Sequence, residues 1–107
     1  EKVWPADIEL TPTVLKHWYC GDGYWFNKNN QKSIRIAMSN EIGNENKINE
    51  IFTNVGLPQP STYSSSERKD GSKTFSASFT VKSSNTLFEY MGKPLPDFEY
   101  KWPEEYR

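Results

Sequence analysis

The sequence has very few of the residues that form covalent or metal cross-links. It contains one cysteine, Cys20, and one histidine, His17, among 107 residues. A single cysteine excludes an internal disulfide bond and is typical of a reducing compartment, so we expect an intracellular protein. One cysteine and one histidine are also too few for a zinc site of the usual cysteine and histidine type.

Long apolar segments are missing as well. No apolar run approaches the ~18–20 residues that cross a bilayer, and the chain does not open on a charged stretch followed by an apolar one, as a signal peptide does. We therefore expect no membrane partner. A chain of 107 residues predicts a single domain over 1–107. Residues 1–10 could be the end of a linker, and 93–107 are expected to form an irregular tail pinned by its aromatic residues.

Net charge is also small, at −1. This value argues against a strong non-specific nucleic-acid binder, because such proteins are usually basic. The charges are uneven, however, since residues 23–40 contain Lys28, Lys32 and Arg35 and no acid. A locally basic face is therefore compatible with the nearly neutral total.

What the sequence does contain is a clear helix pattern near its start. Residues 12–22 predict a helix that Thr11 caps and in which Pro12 takes the first position. Gly23 is predicted to end this helix in a left-handed conformation. An apolar side at helical spacing, which includes Leu15 and Trp18, is expected to face the core.

Two hairpin patterns and two further helices follow in alternation. Residues 24–38 and 59–83 alternate apolar and polar side chains around a turn, 45–56 form an amphipathic helix, and 83–92 form a short helix. This order predicts an α+β fold, αββαββα, with a four-stranded antiparallel sheet that carries its helices on one face. The other sheet face is predicted to be polar, with Ser33, Arg35, Ser76, Ser78, Thr80 and Lys82.

Asp22 stands at an unfavourable place in this scheme. The stretch LKHWYCGDG, residues 15–23, ends the first predicted helix with a carboxylate. The helix carbonyls make that end negative, so an acid there is destabilising by roughly 0.3–1 kcal/mol. Either Asp22 is an ordinary surface residue at a helix stop, or a positive group meets it there.

The same stretch resembles the nine-residue motif of the LAGLIDADG homing endonuclease family. The predicted order αββαββα is similar to one repeat of that family over nearly the whole chain. The upstream LTP, residues 10–12, and the YKW at 100–102 resemble further signatures of a subgroup. The resemblance implies a saddle-shaped sheet over the DNA major groove, with motif helices that pair at a two-fold axis.

This resemblance implies a function, a cofactor and catalytic residues. The function is site-specific hydrolysis of double-stranded DNA, in an intron or intein context, with Mg²⁺ or another divalent cation. Asp22, with the neighbouring Gly21, would hold the metal, and the cation would then be the positive group that Asp22 lacks. Asn40 and Lys101 fall where the family has further active-site residues. Two metals ~3.5–4 Å apart suit phosphodiester hydrolysis.

The resemblance also implies which residues meet DNA and a second repeat. The family contacts DNA through outward side chains of both hairpins, which here would be Lys28, Asn30, Gln31, Ser33, Arg35, Tyr63, Ser65, Arg68, Lys73, Ser76, Ser78 and Thr80. A slip of one residue in 60–68 would exchange the two faces. One copy of the motif implies a homodimer, or pairing with a second repeat, through Leu15, His17, Trp18 and Gly21. No small-molecule substrate is expected.

Some residues depart from the family pattern and leave alternatives open. Lys16 and His17 are larger than the small residues found where motif helices cross closely, and Cys20 replaces the first acid of the motif. Lys101 could simply lay its stem over the aromatic tail. The chain could therefore be a non-catalytic nucleic-acid binder on the same fold, such as a splicing maturase or an inactive relic. It could also be an unrelated α+β interaction domain.

Overall fold

The computed structural model describes residues 8–29 and 31–107, apart from the side chains of Lys28 and Asn40. Within this part of the chain three helices alternate with two hairpins. The elements are α1 (Pro12–Asp22), β1 (Gly23–Lys28), β2 (Gln31–Ala37), α2 (Glu45–Asn54), β3 (Thr62–Glu67), β4 (Lys73–Ser78) and α3 (Val81–Met91). Short 3-10 turns cover Ser39–Glu41, Glu99–Lys101 and Glu104–Tyr106. The predicted α+β class and element order are confirmed.

The four strands form one antiparallel sheet in the order β1-β2-β4-β3. Six residue pairs join β1 to β2, and six join β3 to β4, so each hairpin is fully registered. The two hairpins are joined by three residue pairs between β2 and β4, which are Arg35↔Ser78, Ile36↔Ala77 and Ala37↔Ser76. Backbone hydrogen bonds from Phe79 to Ile34 and from Met38 to Phe75 flank these pairs. We call this short junction the central seam. It places the two hairpins side by side in one surface.

The core lies between one face of this sheet and the helices. Ile34, Ile36, Phe75 and Ala77 point into it from the central strands, and all four are buried. Helix residues meet them there, as in the contact between Phe52 of α2 and Phe79, whose ring centroids are 5.4 Å apart. None of the described helices is long and apolar enough to cross a membrane.

The second hairpin ends earlier than its alternating pattern predicts. Thr80 is not a strand residue but the N-cap of α3, where its hydroxyl accepts a hydrogen bond from the Ser83 amide at 3.1 Å. Lys82 consequently lies in α3, and the prediction that Thr80 and Lys82 belong to the polar sheet face is wrong. The buried Ser84 of α3 contacts β2, since its Oγ accepts a hydrogen bond from the Ile34 backbone amide at 2.8 Å.

The tail after α3 closes the core rather than lying loosely on it. Trp102 is completely buried, and its indole N–H donates to the Gly92 carbonyl at 3.1 Å. Its ring meets Tyr19 edge to face with centroids 5.1 Å apart. The Tyr19 hydroxyl donates to the Lys101 carbonyl at 2.6 Å. The expectation that aromatic residues pin this segment is confirmed.

Gly23 is required for a reason different from the predicted one. Its backbone is extended, with φ −98° and ψ 164°, and it is the first residue of β1. The prediction of a left-handed helix end is therefore wrong. A Cβ at this position would lie 2.2 Å from a ring carbon of Tyr19 and 2.8 Å from the Tyr19 carbonyl oxygen. Only glycine leaves room for the buried tyrosine beneath the turn from helix to strand.

Gly23→Ala is expected to lower the free energy of unfolding by about 1–3 kcal/mol, the usual result of overfilling a closed core. The Tyr19 ring cannot move aside easily, because its hydroxyl is hydrogen-bonded and its ring packs edge to face with both Phe88 and Trp102. Gly21→Ala is the matched control, since a Cβ there meets nothing within 4 Å. It should stabilise α1 by about 0.5–1 kcal/mol. Urea denaturation of both variants measures the contrast, and equal effects would contradict this account of Gly23.

Candidate nucleic-acid interface and carboxylate site

Asp22 is the last residue of α1, and both it and Gly21 are exposed. Lys101 reaches the same end of the helix from the tail, where its ammonium donates to the Cys20 carbonyl at 2.6 Å. Residues 81 positions apart in the chain therefore meet at this helix end. A cation that caps helix carbonyls offsets the negative end of the helix dipole.

The position of Lys101 is fixed by several contacts around it. Its backbone carbonyl accepts from the Tyr19 hydroxyl, and the neighbouring Tyr100 carbonyl accepts from the Trp25 indole at 3.0 Å. The Lys101 ammonium also lies 5.9 Å from the centroid of the Phe98 ring. The lysine is thus both a helix cap and a partner of the aromatic tail. Its charge is held beside the turn that carries Asp22.

The donor set at Asp22 is small for a metal site within one chain. The described residues contain no group of three or more histidine, cysteine, aspartate or glutamate side chains that could hold a metal ion. Mg²⁺ often takes only one or two carboxylates and completes its shell with waters and phosphate oxygens. The exposed Asp22 carboxylate could supply one such ligand. Gly21, on the same turn, offers a backbone oxygen.

The exposed side of α1 carries Thr13, His17 and Gly21 at intervals of four residues. The Nδ1 atom of His17 lies 2.8 Å from the Thr13 carbonyl oxygen. Leu15 and Trp18 point the other way, into the core of the same chain. Their burial contradicts the assignment to a dimer interface that the resemblance implied, and it agrees with the expectation that the apolar side of α1 faces the core. Of the four predicted interface residues, His17 and Gly21 remain accessible.

The sheet face that points away from the helices forms the second candidate region, which we call the open face. The strand register aligns Tyr24, Arg35, Ser78 and Thr62 in one row across all four strands. Further rows on this face consist of Phe26 and Ser33, of Ala37, Ser76 and Ser64, and of Thr74 and Ser66. A shallow groove of about 330 Å³ lies here, lined by Tyr24, Arg35, Ser64, Arg68 and Ser76 among others.

The register puts part of the predicted DNA-binding set on this face. Gln31, Ser33, Arg35, Ser76 and Ser78 belong to the open face, and Arg68 lies in the turn beside its groove. Asn30 and the side chains of Lys28 and Asn40 lie outside the described residues. Arg35, whose guanidinium donates from Nε to Ser78 Oγ at 3.1 Å, is the best-positioned cation of the face.

Tyr63 and Ser65 lie on the opposite side of the sheet, so their predicted outward direction is wrong. Tyr63 is paired with Ala77 and stacks on the Phe75 ring at 5.4 Å. Its hydroxyl donates to Asn49 Oδ1 of α2 at 2.8 Å, and burial raises the pKa of Tyr63 to about 12. Ser65 is paired with Phe75 and shares its side. The prediction for β3 was thus shifted by one residue, which exchanged the two faces of the strand.

Two more residues that were predicted to contact DNA do not lie on the open face. Lys73 pairs with Glu67 and has the same strand parity as Phe75, so it belongs to the helix side of the sheet. Thr80 is occupied as the cap of α3. The open face is consequently less basic than predicted and is formed mainly by serine, threonine and aromatic residues.

Sequence reasoning missed two kinds of residue. Tyr24 and Phe26 are exposed on the open face, and their alternation with the half-buried Trp25 was the available signal. Glu41 is buried in the turn that carries Asn40, and its carboxylate lies 2.7 Å from the Lys47 ammonium. No local pattern distinguishes Glu41 from the exposed acids nearby, because its burial depends on the position of α2.

The chain matches no protein-family model, no curated protein and no solved structure.

Proposed function

We propose that this chain is one repeat of a LAGLIDADG-type endonuclease that cuts double-stranded DNA after pairing with a second repeat. The observation that carries the proposal is that the Lys101 ammonium reaches the Cys20 carbonyl in the last turn of α1, the helix that ends at Asp22. An exposed carboxylate and a fixed ammonium group thus belong to the same helix end. Both residues are the ones that the motif resemblance selects.

The architecture supports the proposal independently of these two residues. The element order αββαββα and the sheet with one uncovered face suit a protein that lays strands against nucleic acid. The exposed side of α1 offers His17 and Gly21 to a second copy. Pairing there would bring two Asp22 side chains towards one another, which is how two single carboxylates become a shared site.

In the proposed reaction each residue has a limited task. A divalent cation, when bound, would stabilise negative charge on the phosphate oxygens and activate a water molecule. Asp22 would hold that cation from each of two repeats. The Lys101 ammonium, oriented by the Cys20 carbonyl, would stabilise the charge that develops on the phosphate. Arg35 and the hydroxyl groups of the open face would orient the DNA.

A second candidate function is non-catalytic binding of nucleic acid on the same fold, as in a splicing maturase or an inactive relic. One observation favours it: Arg35 and the hydroxyl groups beside it lie on the open face, where nucleic acid could bind without Asp22. Fold alone does not decide between an enzyme and a binder. The two functions share the open face and differ in the need for Asp22.

The solution mass, measured by light scattering with and without Mg²⁺, tests the pairing on which the proposal depends. We expect a dimer of twice 12.5 kDa. His17→Glu should convert it to a monomer, because the two introduced carboxylates would repel each other where the α1 helices of the two chains meet. Asn85→Glu, which adds the same charge at an exposed position of α3, is the control and should remain dimeric. A monomeric parent chain would contradict the homodimer and leave only pairing with a second, different repeat.

A further inference from the structure

Tyr24 and Phe26 form an exposed aromatic pair at the edge of the open face. Their side chains are 44% and 38% accessible, and their ring centroids are 6.5 Å apart. Only two other large hydrophobic residues in the described chain, Ile42 and Tyr100, are as exposed. Two adjacent accessible rings on an outer strand are not explained by packing, because α1, α2 and α3 cover the other face.

Arg35 joins these rings into one surface. Its Nη1 lies 3.4 Å from the Tyr24 hydroxyl, and its guanidinium carbon lies 5.4 Å from the centroid of the Phe26 ring. The Ser78 hydroxyl accepts from its Nε at 3.1 Å. These contacts hold the charge next to the aromatic faces, where cation and ring attract each other. The cation is therefore oriented before any ligand arrives.

The charge of this face differs from that of the whole chain. Glu67 is the one acidic residue in the four described strands, and its parity places it on the helix side, opposite Lys73. The open face thus carries Arg35 and no strand carboxylate, although the chain has a net charge of −1. An anionic ligand with flat apolar groups is complementary to such a surface.

We propose that Tyr24, Phe26 and Arg35 form a stacking platform for unpaired nucleobases, so that single-stranded nucleic acid binds this edge of the sheet. Unpaired bases expose their flat faces to aromatic side chains, whereas bases inside a duplex are already stacked on each other. The guanidinium of Arg35 meets the backbone phosphate. This activity needs neither Asp22 nor a paired repeat, and it goes beyond cleavage of double-stranded DNA.

Fluorescence anisotropy with labelled oligonucleotides tests the platform in the complete chain. The probes are oligo(dT), oligo(rU) and a mixed-sequence duplex, each about 15 nucleotides or base pairs long, which matches the known upper range of single-strand site sizes. We expect the single strands to bind more tightly than the duplex. Phe26→Leu, which keeps an apolar side chain but removes the ring, should weaken single-strand binding about 5- to 100-fold.

Three controls make the result specific. Phe26→Tyr keeps the ring and should bind within about 2-fold of the parent chain, as ring stacking predicts. Ile42→Ala removes an equally exposed apolar residue outside the strands and should have no effect. Circular dichroism shows whether each variant is folded. Asp22→Asn should bind single strands normally, which separates this inference from the endonuclease proposal.

The remaining outcomes would overturn the inference. Undetectable single-strand binding, or binding that Phe26→Leu leaves unchanged, would remove the stacking platform. Tighter binding of the duplex than of either single strand would show that the open face reads paired DNA.

Discussion

Asp22→Asn is expected to abolish DNA cleavage while leaving DNA binding nearly intact. The amide has the shape of the carboxylate but no charge to hold a divalent cation. We expect a loss of more than about 100-fold in cleavage rate, because even groups that merely support a metal ligand are worth ~10–100-fold. Asp22 is exposed at a helix end, so the substitution should not disturb the core. Since the Lys101 ammonium already offsets the negative end of α1, the loss of one carboxylate should change the free energy of unfolding by less than about 1 kcal/mol.

Lost cleavage with little change in stability is the expected signature of a functional carboxylate. Glu50→Gln removes one charge at an exposed position of α2 and serves as the control for net charge. The measurement is cleavage of a randomised duplex library in Mg²⁺, followed by sequencing of the cut ends, together with urea denaturation. If the Asp22→Asn variant lost binding as well as cleavage, Asp22 would have a structural role. Undiminished cleavage would refute the proposed site.

Trp102→Ala is expected to have the largest effect on stability, about 3–5 kcal/mol, which is typical of removing a buried tryptophan. Trp102 is completely buried, meets the Tyr19 and Phe88 rings and donates to the Gly92 carbonyl. The alanine variant leaves a cavity beneath α1 and α3 and removes the donor of that carbonyl. A domain of this size has only about 5–15 kcal/mol of stability in total.

Tyr100→Ala is the matched control for Trp102→Ala. It removes a large aromatic residue from the same turn, but Tyr100 is 65% exposed. Its backbone carbonyl, which accepts from Trp25, is retained in the variant. We expect a change within about 0.5 kcal/mol, as for other surface substitutions. Chemical denaturation followed by circular dichroism compares the two variants. Similar losses for both would show that the tail is not part of the core.

Local patterns were sufficient for the starts of α1 and α2 and for the central strands. Thr11 and Pro12 opened α1 as predicted, and the alternation of Ile34 with Ile36 and of Phe75 with Ala77 gave the buried side of β2 and β4 correctly. These features depend on residues a few positions apart, so sequence contains them. The element order followed from them.

Features that depend on distant residues were not predictable in this way. The strand β3, with the sequence TYSSSE, offers one apolar residue, so nothing local fixed its register and its faces were exchanged. Thr80 was predicted as a strand residue because the alternation of apolar and polar residues continues through Phe79 and Val81. In the structure it is the N-cap of α3. Gly23 and Glu41 owe their roles to Tyr19 and Lys47, whose positions are set by tertiary packing.

At the candidate site, sequence reasoning predicted Asp22 and Lys101 but not the contact between Lys101 and the Cys20 carbonyl. The tail pattern indicated aromatic packing, and only the fold shows which helix end the lysine reaches. On the open face, Ser33, Arg35, Ser76 and Ser78 were predicted, whereas Lys73 and the outward residues of β3 were assigned to the wrong side. The side of the sheet on which a residue lies was thus most predictable in strands whose alternating apolar residues mark the buried face.

The central seam has a consequence for the order in which the chain folds. Each hairpin joins neighbouring segments and can close locally, on a timescale of about 1–10 μs. The seam must instead bring together residues such as Arg35 and Ser78, which are 43 positions apart, and it gains only three residue pairs in return. Closing a long loop costs chain entropy before such contacts stabilise it. Docking of the two preformed hairpins, rather than formation of either one, is therefore the expected rate-limiting event.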